Sequence, residues 1–446
     1  MTPPKDLPLD VPDWSALNAR IADRSAKVAV LGQGYVGLTL AAAAAAEGFP
    51  VVGIDVDEAR TERLAAGELV VPGVDPDEFR AGVESGNMTF SSSPDPVADA
   101  DIVLICVPTP VSDHAPDLRY VESAGSDVGA HVRPGTLVVL ESTTYPGTTD
   151  SLLRPILEFG SGLQAGTDFL LAYSPERVDP GSAQYHMRNT PRVVGGSTPE
   201  ATEIAVAFYG TLVDKVVPVS TTRAAETSKL LENTFRHINI ALVNEMAMVC
   251  HEMGIDIWEV IDAAATKPFG YMPFYPGPGI GGHCIPLDPT YLAWQIRRES
   301  GRRFAVLEAS QDVNERMPNW VASRVAELLN DQHRSVRTAR VLVLGVSYKA
   351  DVGDVRESPA LLTMQLLHQR GADVRFHDFY VDEVRMNGGM AVCVQDLDTE
   401  LEEADVVLLL TPHSAYDLES IASRARVVLD TRNAFGSDRR PNIVPL

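Results

Sequence analysis

The chain has 446 residues, of which 45% are hydrophobic and 22% charged, a composition typical of a globular protein with about two or three domains. Its formal net charge of −24 argues against a nucleic-acid binder, because such proteins need a basic face. No run of about 18 apolar residues predicts a transmembrane helix, and the N-terminus lacks the basic and apolar segments of a signal peptide. The four cysteines are widely spaced, which predicts neither disulfides nor a metal site and favours a reducing cytoplasm.

A strand, a tight turn, a helix and a second strand form the first predicted unit. The β-rich run at 27–31 meets Gly32-Gln-Gly-Tyr-Val-Gly37, and an alanine-rich helical stretch separates this turn from a strand at 51–55. Further β-rich runs at 101–107 and 136–140 continue the alternation. Strands that alternate with helices predict a doubly wound parallel sheet.

The middle of the chain is predicted to be helical. Residues 222–253 contain no proline and no glycine, and their apolar residues recur at three- and four-residue spacing. This pattern indicates one long helix that ends before Gly254. Such a helix is suited to join two domains and to serve as a dimer surface. A glycine- and proline-rich loop follows at 275–288.

The last part of the chain repeats the pattern of the first. Arg340-Val-Leu-Val-Leu-Gly345 corresponds to Lys27-Val-Ala-Val-Leu-Gly32, and two later β-rich runs correspond in the same way. The predicted fold class is therefore α/β, with two Rossmann-like doubly wound parallel-sheet domains joined by a helical middle with a long central helix. Four parts are predicted: an N-terminal arm at 1–25, a dinucleotide-binding Rossmann domain at 26–217, a central helical domain at 218–318 and a C-terminal Rossmann-like domain at 319–446.

A GxGxxG motif, made by Gly32, Gly34 and Gly37, lies directly between a predicted strand and a predicted helix. Its glycines allow the tight turn, the approach of the backbone to a pyrophosphate and close helix–strand packing. Asp55 ends the second strand, where an acid accepts hydrogen bonds from the adenosine ribose and repels a 2′-phosphate, so NAD is predicted over NADP. Arg60 is expected near the adenine edge. The loop positions Gln33, Tyr35 and Val36 complete the predicted cofactor contacts.

Cys284 stands in the glycine-rich loop and has two interpretations. Most lone cysteines are small buried hydrophobic residues, and the other three cysteines, in apolar runs, are interpreted in this way. For Cys284, the surrounding glycines and Asp288, four residues later, favour a nucleophile. The adjacent His283 fits a role in catalysis and a plain loop position equally well.

Lys229 and Asn233 lie one helical turn apart and project from one face of the long helix. A lysine and an asparagine that converge on one oxygen would form an oxyanion clamp. The same spacing also fits a solvated lysine beside an asparagine, and spacing alone favours that surface interpretation.

Seven segments stand in the order typical of one enzyme family. They are Gly32-Gln-Gly-Tyr-Val-Gly37, Val107-Pro-Thr-Pro110, Glu141-Ser-Thr-Thr-Tyr-Pro-Gly147, Ser174-Pro-Glu-Arg177, Lys229-Leu-Leu-Glu-Asn233, Gly281-Gly-His-Cys-Ile-Pro-Leu-Asp288, and Gly345-Val-Ser-Tyr-Lys349 with Asp354-Val-Arg-Glu-Ser-Pro359. From about residue 27 to the C-terminus, the chain resembles the UDP-glucose/GDP-mannose dehydrogenase superfamily. The resemblance implies an NAD-dependent nucleotide-sugar 6-dehydrogenase whose C-terminal domain binds the UDP-sugar.

The same resemblance implies a four-electron oxidation of a C6 alcohol to the uronic acid, in which Cys284 forms a thiohemiacetal and then a thioester. Lys229 and Asn233 would stabilise the oxyanions. Asp288, with Thr143, would position a water or proton acceptor, and a general base, Glu176, would assist hydrolysis. The implied cofactor contacts also include Pro108, Thr109, Thr143 and Arg356, and the implied substrate contacts are Glu176, Arg177, Lys229, Asn233, Gly281 and Lys349.

Two segments set the chain apart from typical UDP-glucose dehydrogenases. Pro175-Glu-Arg-Val-Asp-Pro-Gly181 replaces a segment of the Pro-Glu-Phe-Leu-Arg-Glu type, so the family's second glutamate has no clear match. Leu287 replaces a lysine before Asp288. Three stretches are instead similar to the branch that acts on UDP-N-acetylhexosamines: Glu141-Ser-Thr-Thr-Tyr-Pro-Gly147, Ser174-Pro-Glu-Arg-Val-Asp-Pro-Gly181 and Pro276-Gly-Pro-Gly-Ile-Gly-Gly-His-Cys284. The resemblance therefore implies UDP-N-acetylglucosamine as the first choice of substrate, UDP-N-acetylmannosamine as the second and UDP-glucose as the third.

Two other functions fit part of the sequence. A two-electron dehydrogenase of the 6-phosphogluconate or β-hydroxyacid type shares the Rossmann domain and the Lys-x-x-x-Asn helix, but lacks the cysteine loop and the second Rossmann-like domain. A non-catalytic NAD-binding regulator would be free to lose the candidate residues, all of which are present. The expected protein is cytoplasmic, holds no metal, has no nucleic-acid or membrane partner, and is a homodimer or higher homo-oligomer.

Overall fold

The computed structural model describes residues 14–71, 73–112, 115–178, 185–282, 285–438 and 440–446. The chain forms two compact units, of which the first ends at Leu231 and the second is Glu232–Leu446. Each unit contains a parallel sheet with apolar clusters on both faces, so the predicted α/β class with two Rossmann-like domains is confirmed.

The helices and strands as far as the long central helix are α1 Trp14–Ala22, β1 Val28–Leu31, α2 Tyr35–Ala46, β2 Val51–Ile54, α3 Glu58–Ala65, α4 Pro76–Glu84, β3 Met88–Ser91, β4 Ile102–Ile105, β5 Val111–Ser112, β6 Ala115–Pro116, α5 Arg119–His131, β7 Leu137–Leu140, α6 Arg154–Ser161, β8 Leu170–Tyr173, β9 Arg192–Gly196, α7 Pro199–Tyr209, β10 Val216–Val219 and α8 Thr222–Met253.

The first sheet has eight strands in the order β10-β9-β8-β7-β4-β1-β2-β3. Neighbouring strands are parallel except β8 and β9, which pair antiparallel. Every residue of β1, β4, β7 and β8 is buried. Continuous apolar strands of this kind are typical of parallel sheets that carry helices on both faces.

The described part of the expected N-terminal arm differs from the prediction. From Trp14 onward the chain forms α1, in which Leu17 and Ile21 are each 1% exposed and pack into the core of the first unit. Arg20 adds an ion pair of 3.1 Å to Asp101. Because Leu17 and Ile21 lie one turn apart, they make an apolar stripe that favours a packed helix over a loose arm. Residues 1–13 lie outside the described part of the chain.

The long helix matches its prediction. It spans Thr222–Met253, and Gly254 follows with a φ of +67°. The N–H of Ile255 donates to the carbonyl of Cys250 at 2.8 Å. A left-handed glycine with such a backward hydrogen bond is a common way to end a helix, because it satisfies the last carbonyls.

The second unit continues with α9 Ile257–Ala265, α10 Asp288–Ser300, α11 Ala305–Asp331, β11 Arg340–Leu344, α12 Pro359–Gln369, β12 Asp373–His377, β13 Glu383–Met386, β14 Gly389–Val392, α13 Leu397–Glu403, β15 Val406–Leu409, α14 Leu418–Arg424, β16 Val428–Asp430 and β17 Ile443–Pro445. Its parallel sheet has the order β12-β11-β15-β16-β17.

The predicted repeat of the first sheet in the second unit is present. β11 pairs in parallel with β12 and β15, as β1 pairs with β2 and β4. Gly345 keeps the tight turn of Gly32, with φ values of +78° and +89°, but Ser347 stands where the first unit has Gly34. Residues 32–34 join strand to helix in the first unit, whereas residues 345–358 do so in the second.

No helix within the described ranges combines the length and apolar character that a membrane crossing requires. In the same part of the chain, no three His, Cys, Asp or Glu side chains are placed to hold a metal ion together. Cys106, Cys250 and Cys393 are free and buried, as their interpretation as packing residues predicts.

Candidate functional site

The GxGxxG turn has the shape that a dinucleotide requires. A Cβ on Gly37 would lie 1.9 Å from the carbonyl oxygen of Gly32, whereas a Cβ on Gly34 would have no heavy atom within 4 Å. Helix α2 begins immediately after Gly34, whose position has no side-chain cap, and the N-terminal end of a helix favours a phosphate. The turn is thus packed behind Gly37 and open at Gly34, and it fits the pyrophosphate of NAD.

Asp55 lies at this turn, as predicted. Its Oδ2 accepts hydrogen bonds from the Gln33 N–H at 2.7 Å and from Arg60 at 2.9 Å, and its Oδ1 accepts the N–H of Asp57 at 3.0 Å. Arg60, expected near the adenine edge, is therefore paired with the carboxylate. These contacts fix the orientation of the Asp55 carboxylate, the group that the sequence predicts to favour NAD over NADP.

The other predicted cofactor contacts occupy varied positions. The ring of Tyr35 lies against Gly73, where a Cβ would be 2.9 Å from it, and Val36 packs partly against the core. Pro108 and Thr109 follow β4, and Thr109 is buried.

Lys229 is buried, so its interpretation as a solvated surface lysine is wrong. It is 9% exposed, and its Nζ donates to the main-chain carbonyl of Glu176 at 2.6 Å. The carboxylate of Glu176 is turned into its own loop, where Oε1 accepts the N–H groups of Arg177 at 2.6 Å and Val178 at 2.7 Å. Two predicted site residues, Lys229 and Glu176, are therefore in direct contact.

Thr143 lies half-buried after β7, in a loop that α8 holds in place. The carboxylate of Glu226 accepts hydrogen bonds from the N–H groups of Gly147 at 2.5 Å and Thr149 at 2.9 Å, and from the Thr149 hydroxyl at 2.7 Å. Sequence reasoning missed Glu226. Glu226 is fully buried and lies one turn before Lys229 on α8. Only its place on the helix is visible in the sequence, and an acid at that place does not by itself indicate burial.

Asn233 and Asp288 form the second buried polar pair, this one within the second unit. Each is 4% exposed, and the Asn233 Nδ2 donates to the Asp288 Oδ2 at 2.5 Å. Asp288 begins α10, where the N-terminal end of a helix stabilises a carboxylate. The surface interpretation of Asn233 is therefore wrong as well. Cys284 and His283, which precede α10, lie outside the described residues.

Three glycines before Cys284 are needed because other residues of the second unit pack closely against them. A Cβ on Gly277 would lie 2.4 Å from the Arg432 guanidinium, and one on Gly281 would lie 2.7 Å from Tyr348. Gly282 has a φ of +83° and donates its N–H to the Arg356 carbonyl at 3.1 Å. At these three positions, the space that we expected to serve a substrate is filled by side chains of the same unit.

Three residues that were predicted to contact a ligand form hydrogen bonds or ion pairs with neighbouring residues of their own unit. The Arg356 guanidinium pairs with Asp354 at 2.6 Å, Arg177 donates to the Pro191 carbonyl at 2.8 Å, and the Lys349 carbonyl accepts the Ser347 hydroxyl at 2.8 Å.

Arg432, which the sequence analysis did not single out, lies against Gly277. Its Nε donates to the Leu410 carbonyl at 3.1 Å, and burial lowers its pKa to about 10. A half-buried cation beside the cysteine loop is suited to an anionic ligand. Its position just after strand β16 was the available signal.

A buried chain of amides supports the cysteine loop. The Asn244 side chain accepts the Gly277 N–H and donates to Asn314, both at 3.0 Å, and Asn314 donates to the His237 carbonyl at 3.3 Å. The His237 Nδ1 lies 3.0 Å from the Ser310 hydroxyl, whose own proton goes to the Leu307 carbonyl. His237 therefore donates to Ser310 and is held as a neutral ring.

Replacing His237 by glutamine should weaken the dependence of stability on pH. Burial lowers the pKa of His237 to about 4 from its ordinary 6.5, so between these values the unfolded chain binds a proton that the folded chain excludes. This histidine's stabilising contribution is therefore complete above pH 6.5 and is lost as the pH falls toward 4. Urea midpoints between pH 7 and pH 4.5 should fall less in H237Q than in the wild type.

The matched control is H368Q, because His368 is exposed on α12. This variant should keep the wild-type slope, and an unchanged slope in H237Q would contradict the assignment.

Comparison with known proteins agrees with this geometry. The NAD binding, central and UDP binding domains of the UDP-glucose/GDP-mannose dehydrogenase family match residues 26–213, 223–316 and 342–437. UDP-N-acetyl-D-mannosamine dehydrogenase of Methanocaldococcus jannaschii is 32% identical over 427 residues, which cover 92% of this chain and 93% of that protein. NDP-N-acetyl-D-galactosaminuronic acid dehydrogenase of Ralstonia nicotianae is 34% identical over 422 residues, covering 92% and 97%.

A solved structure, that of UDP-D-ManNAc dehydrogenase from Pyrococcus horikoshii, aligns with a TM-score of 0.84 and 32% identity. The alignment covers 94% of this chain and 98% of that one. The chain therefore belongs to the UDP-glucose/GDP-mannose dehydrogenase family and is an NAD-dependent UDP-sugar dehydrogenase.

Proposed function

We propose that this enzyme oxidises the C6 alcohol of a UDP-N-acetylhexosamine to the carboxylate in two successive oxidations. The observation that carries the proposal is the burial of Lys229 and Asn233 one turn apart on α8, each held by a polar partner. A lysine ammonium has three N–H donors and an asparagine amide has two, so each side chain can keep its observed partner and also donate to a developing oxyanion.

The reaction balances around the thiol of Cys284. Each oxidation transfers a hydride to bound NAD⁺, which is the chemistry that the cofactor supplies. The alcohol loses a hydride and a proton to become an aldehyde, and the thiol adds to the aldehyde carbon while its proton goes to the oxygen. The thiohemiacetal loses a second hydride and proton to become a thioester. Water then breaks the C–S bond, which releases the acid and restores the thiol.

The chain's own residues divide the remaining work. Lys229 and Asn233 stabilise the oxyanions, and Asp288, held by Asn233, accepts a proton. Thr143 orients the water, and Glu176 is the general base for hydrolysis.

Cations and loop residues would hold the substrate and cofactor. Lys349 and Arg432 are suited to the anionic nucleotide, with the Arg177 side chain and the main-chain groups of Gly281 proposed to contact the sugar. Arg356 and Asp354 exchange their mutual pairing for the ligand groups.

The choice of sugar follows from the relatives. Proteins named for UDP-N-acetylmannosamine and for an N-acetylgalactosaminuronic acid each match more than nine-tenths of the chain. We therefore place UDP-N-acetylmannosamine first and UDP-N-acetylglucosamine, which the sequence analysis preferred, second. UDP-glucose remains third.

The test is the NADH formed per mole of each UDP-sugar by the purified protein. Two NADH and one carboxylate from an acetamido sugar would support the proposal. Two from UDP-glucose alone would keep the chemistry and replace the substrate. One NADH would indicate a two-electron dehydrogenase, and none with intact NAD⁺ binding would indicate a regulator.

Replacing Asp55 by serine should shift the cofactor preference toward NADP⁺. The carboxylate that repels a 2′-phosphate is removed, and Arg60, which pairs with it at 2.9 Å, is released toward that phosphate. We expect the ratio of kcat/KM for NADP⁺ over NAD⁺ to rise about 100-fold, or close to 3 kcal/mol. The D55S/R60M variant should lose the gain, and an unchanged preference in D55S would contradict the role of Arg60.

A second copy of the chain is the partner we propose for the exposed face of α8. Phe235, Leu242, Met246, Val249 and Met253 recur at helical spacing and are between 39% and 65% exposed. Apolar stripes of this length on soluble proteins mark interaction surfaces. An L242E/M246E variant should be monomeric by light scattering when the wild type is a dimer. F159E, at a residue that is 93% exposed outside this stripe, should assemble normally.

A further inference from the structure

A buried ionic network stands behind Glu176 in the first unit. Arg192, the first residue of β9, is 4% exposed, and Glu141, just after β7, is 1% exposed. The guanidinium donates to the carboxylates of both Glu141 and Glu176, the latter at 3.1 Å, and to the Ser174 hydroxyl at 2.9 Å. Tyr209 donates its hydroxyl to Glu141.

The network fixes the orientation of the Arg192 guanidinium. Its three nitrogens each have a side-chain acceptor, and its carbon lies 4.6 Å from the centre of the Tyr209 ring. A planar guanidinium with five fixed donors holds two carboxylates in a way that a lysine ammonium does not. Glu176 is thereby fixed from behind by Arg192 and from its own loop by two N–H groups.

We propose that Arg192, with Glu141 and Tyr209 behind it, positions Glu176 for hydrolysis of the thioester. The inference rests on the function proposed above, in which Glu176 is the general base. Arg192 acts through Glu176 and is a positioning residue.

Displacement of Arg192 would reach the reacting groups in two ways. The Glu176 carboxylate would lose Arg192 as its partner. The Glu176 carbonyl, which accepts the Lys229 ammonium at 2.6 Å, would move with it. A structural role in the sheet alone would affect folding, whereas this role predicts a specific defect in the last chemical step.

Charge sharing makes the network sensitive to pH. The groups that face it are Glu141, Glu176, Arg192, Tyr209, Cys106 and, through the Glu176 carbonyl, Lys229. Burial raises the pKa of Glu141 to about 7, although Arg192 opposes the change. Below that pH Glu141 is neutral, and the positive charge of Arg192 acts mainly on Glu176. The hydrogen bond from Tyr209 lowers the pKa of Glu141, so loss of the Tyr209 hydroxyl should raise it. The acid limb of the rate profile should therefore shift.

The experiment follows NADH by stopped flow and the protein by intact mass, using R192K, Y209F and the control R20K. In R192K we expect a burst of two NADH per chain, then turnover slowed about 30-fold. The sugar KM should change less than about twofold, and the mass should show an acyl adduct. Y209F should be slowed about threefold, with a shifted acid limb. R20K changes an arginine that pairs with Asp101 and is distant in sequence from the network, so this variant should resemble the wild type.

Wild-type rates and pH profiles in both R192K and Y209F would overturn the inference. So would a slow R192K enzyme with neither burst nor adduct, because Arg192 would then serve folding or binding. If R192K does not yield folded protein, the test rests on Y209F: a wild-type rate, burst and pH profile in this variant would overturn the inference. Failure of the proposed function is a separate result, since the wild type itself would then give no second NADH.

Discussion

Substitution of Cys284 by serine should reduce acid formation by about 10³-fold or more, because a serine hydroxyl is a far weaker nucleophile toward the aldehyde. The Rossmann turn is untouched, so NAD⁺ should bind with unchanged affinity. The first oxidation does not need the thiol, so NADH per sugar should fall from two toward one. Product analysis by mass spectrometry together with NAD⁺ titration measures both quantities.

The matched control for this variant is C250A. Cys250 is 4% exposed and packs beside Trp258 in an apolar cluster of the second unit, so its loss should lower stability modestly and leave two NADH per sugar. Normal acid formation by C284S would refute the covalent mechanism, whereas loss of activity in C250A without loss of fold would show that the cysteines had been assigned wrongly.

Two alanine substitutions in the GxGxxG turn should separate binding from folding. A methyl at Gly34 meets no protein atom within 4 Å, so G34A should melt within about 2 °C of the wild type. The methyl would occupy the space where the pyrophosphate approaches the backbone, so NAD⁺ affinity should fall at least ~10-fold, which corresponds to about 1.4 kcal/mol.

G37A should behave differently, because its methyl would lie 1.9 Å from the Gly32 carbonyl oxygen. Forcing α2 away from β1 should cost about 1–3 kcal/mol of stability, so both the melting temperature and NAD⁺ affinity should fall. Calorimetry and NAD⁺ titration of the two variants test the contrast. Equal melting temperatures, or a G34A protein that binds NAD⁺ normally, would contradict this description of the turn.

The sequence was sufficient to predict the elements whose signal is local. The GxGxxG turn, the long helix ending at Gly254 and the repeat at Gly345 each combine a backbone requirement with a hydrophobic pattern. Asp55 was found for the same reason, since its distance from the glycines is a property of the βαβ unit.

The parts that could not be predicted depend on burial and on contacts between distant segments. Lys229 and Asn233 looked like surface residues by spacing, because nothing local shows that the Glu176 carbonyl and Asp288 lie against them. Arg192 likewise reads as the first residue of a strand, and its two carboxylates come from separate loops. Helix α1 was missed because its apolar stripe has only two residues, Leu17 and Ile21, which is a weak local signal, and their burial depends on the rest of the unit.

The two Rossmann-like folds connect strand to helix differently, and this affects how each can change over time. In the first, residues 32–34 present main-chain groups, which substitution alters little, so the way in which this turn meets a pyrophosphate is conservative. In the second, residues 345–358 present side chains such as Lys349 and Arg356, which single substitutions replace freely. Under the proposed function, in which Lys349 holds the sugar nucleotide, such a protein would exchange one sugar for another while its redox chemistry stays the same.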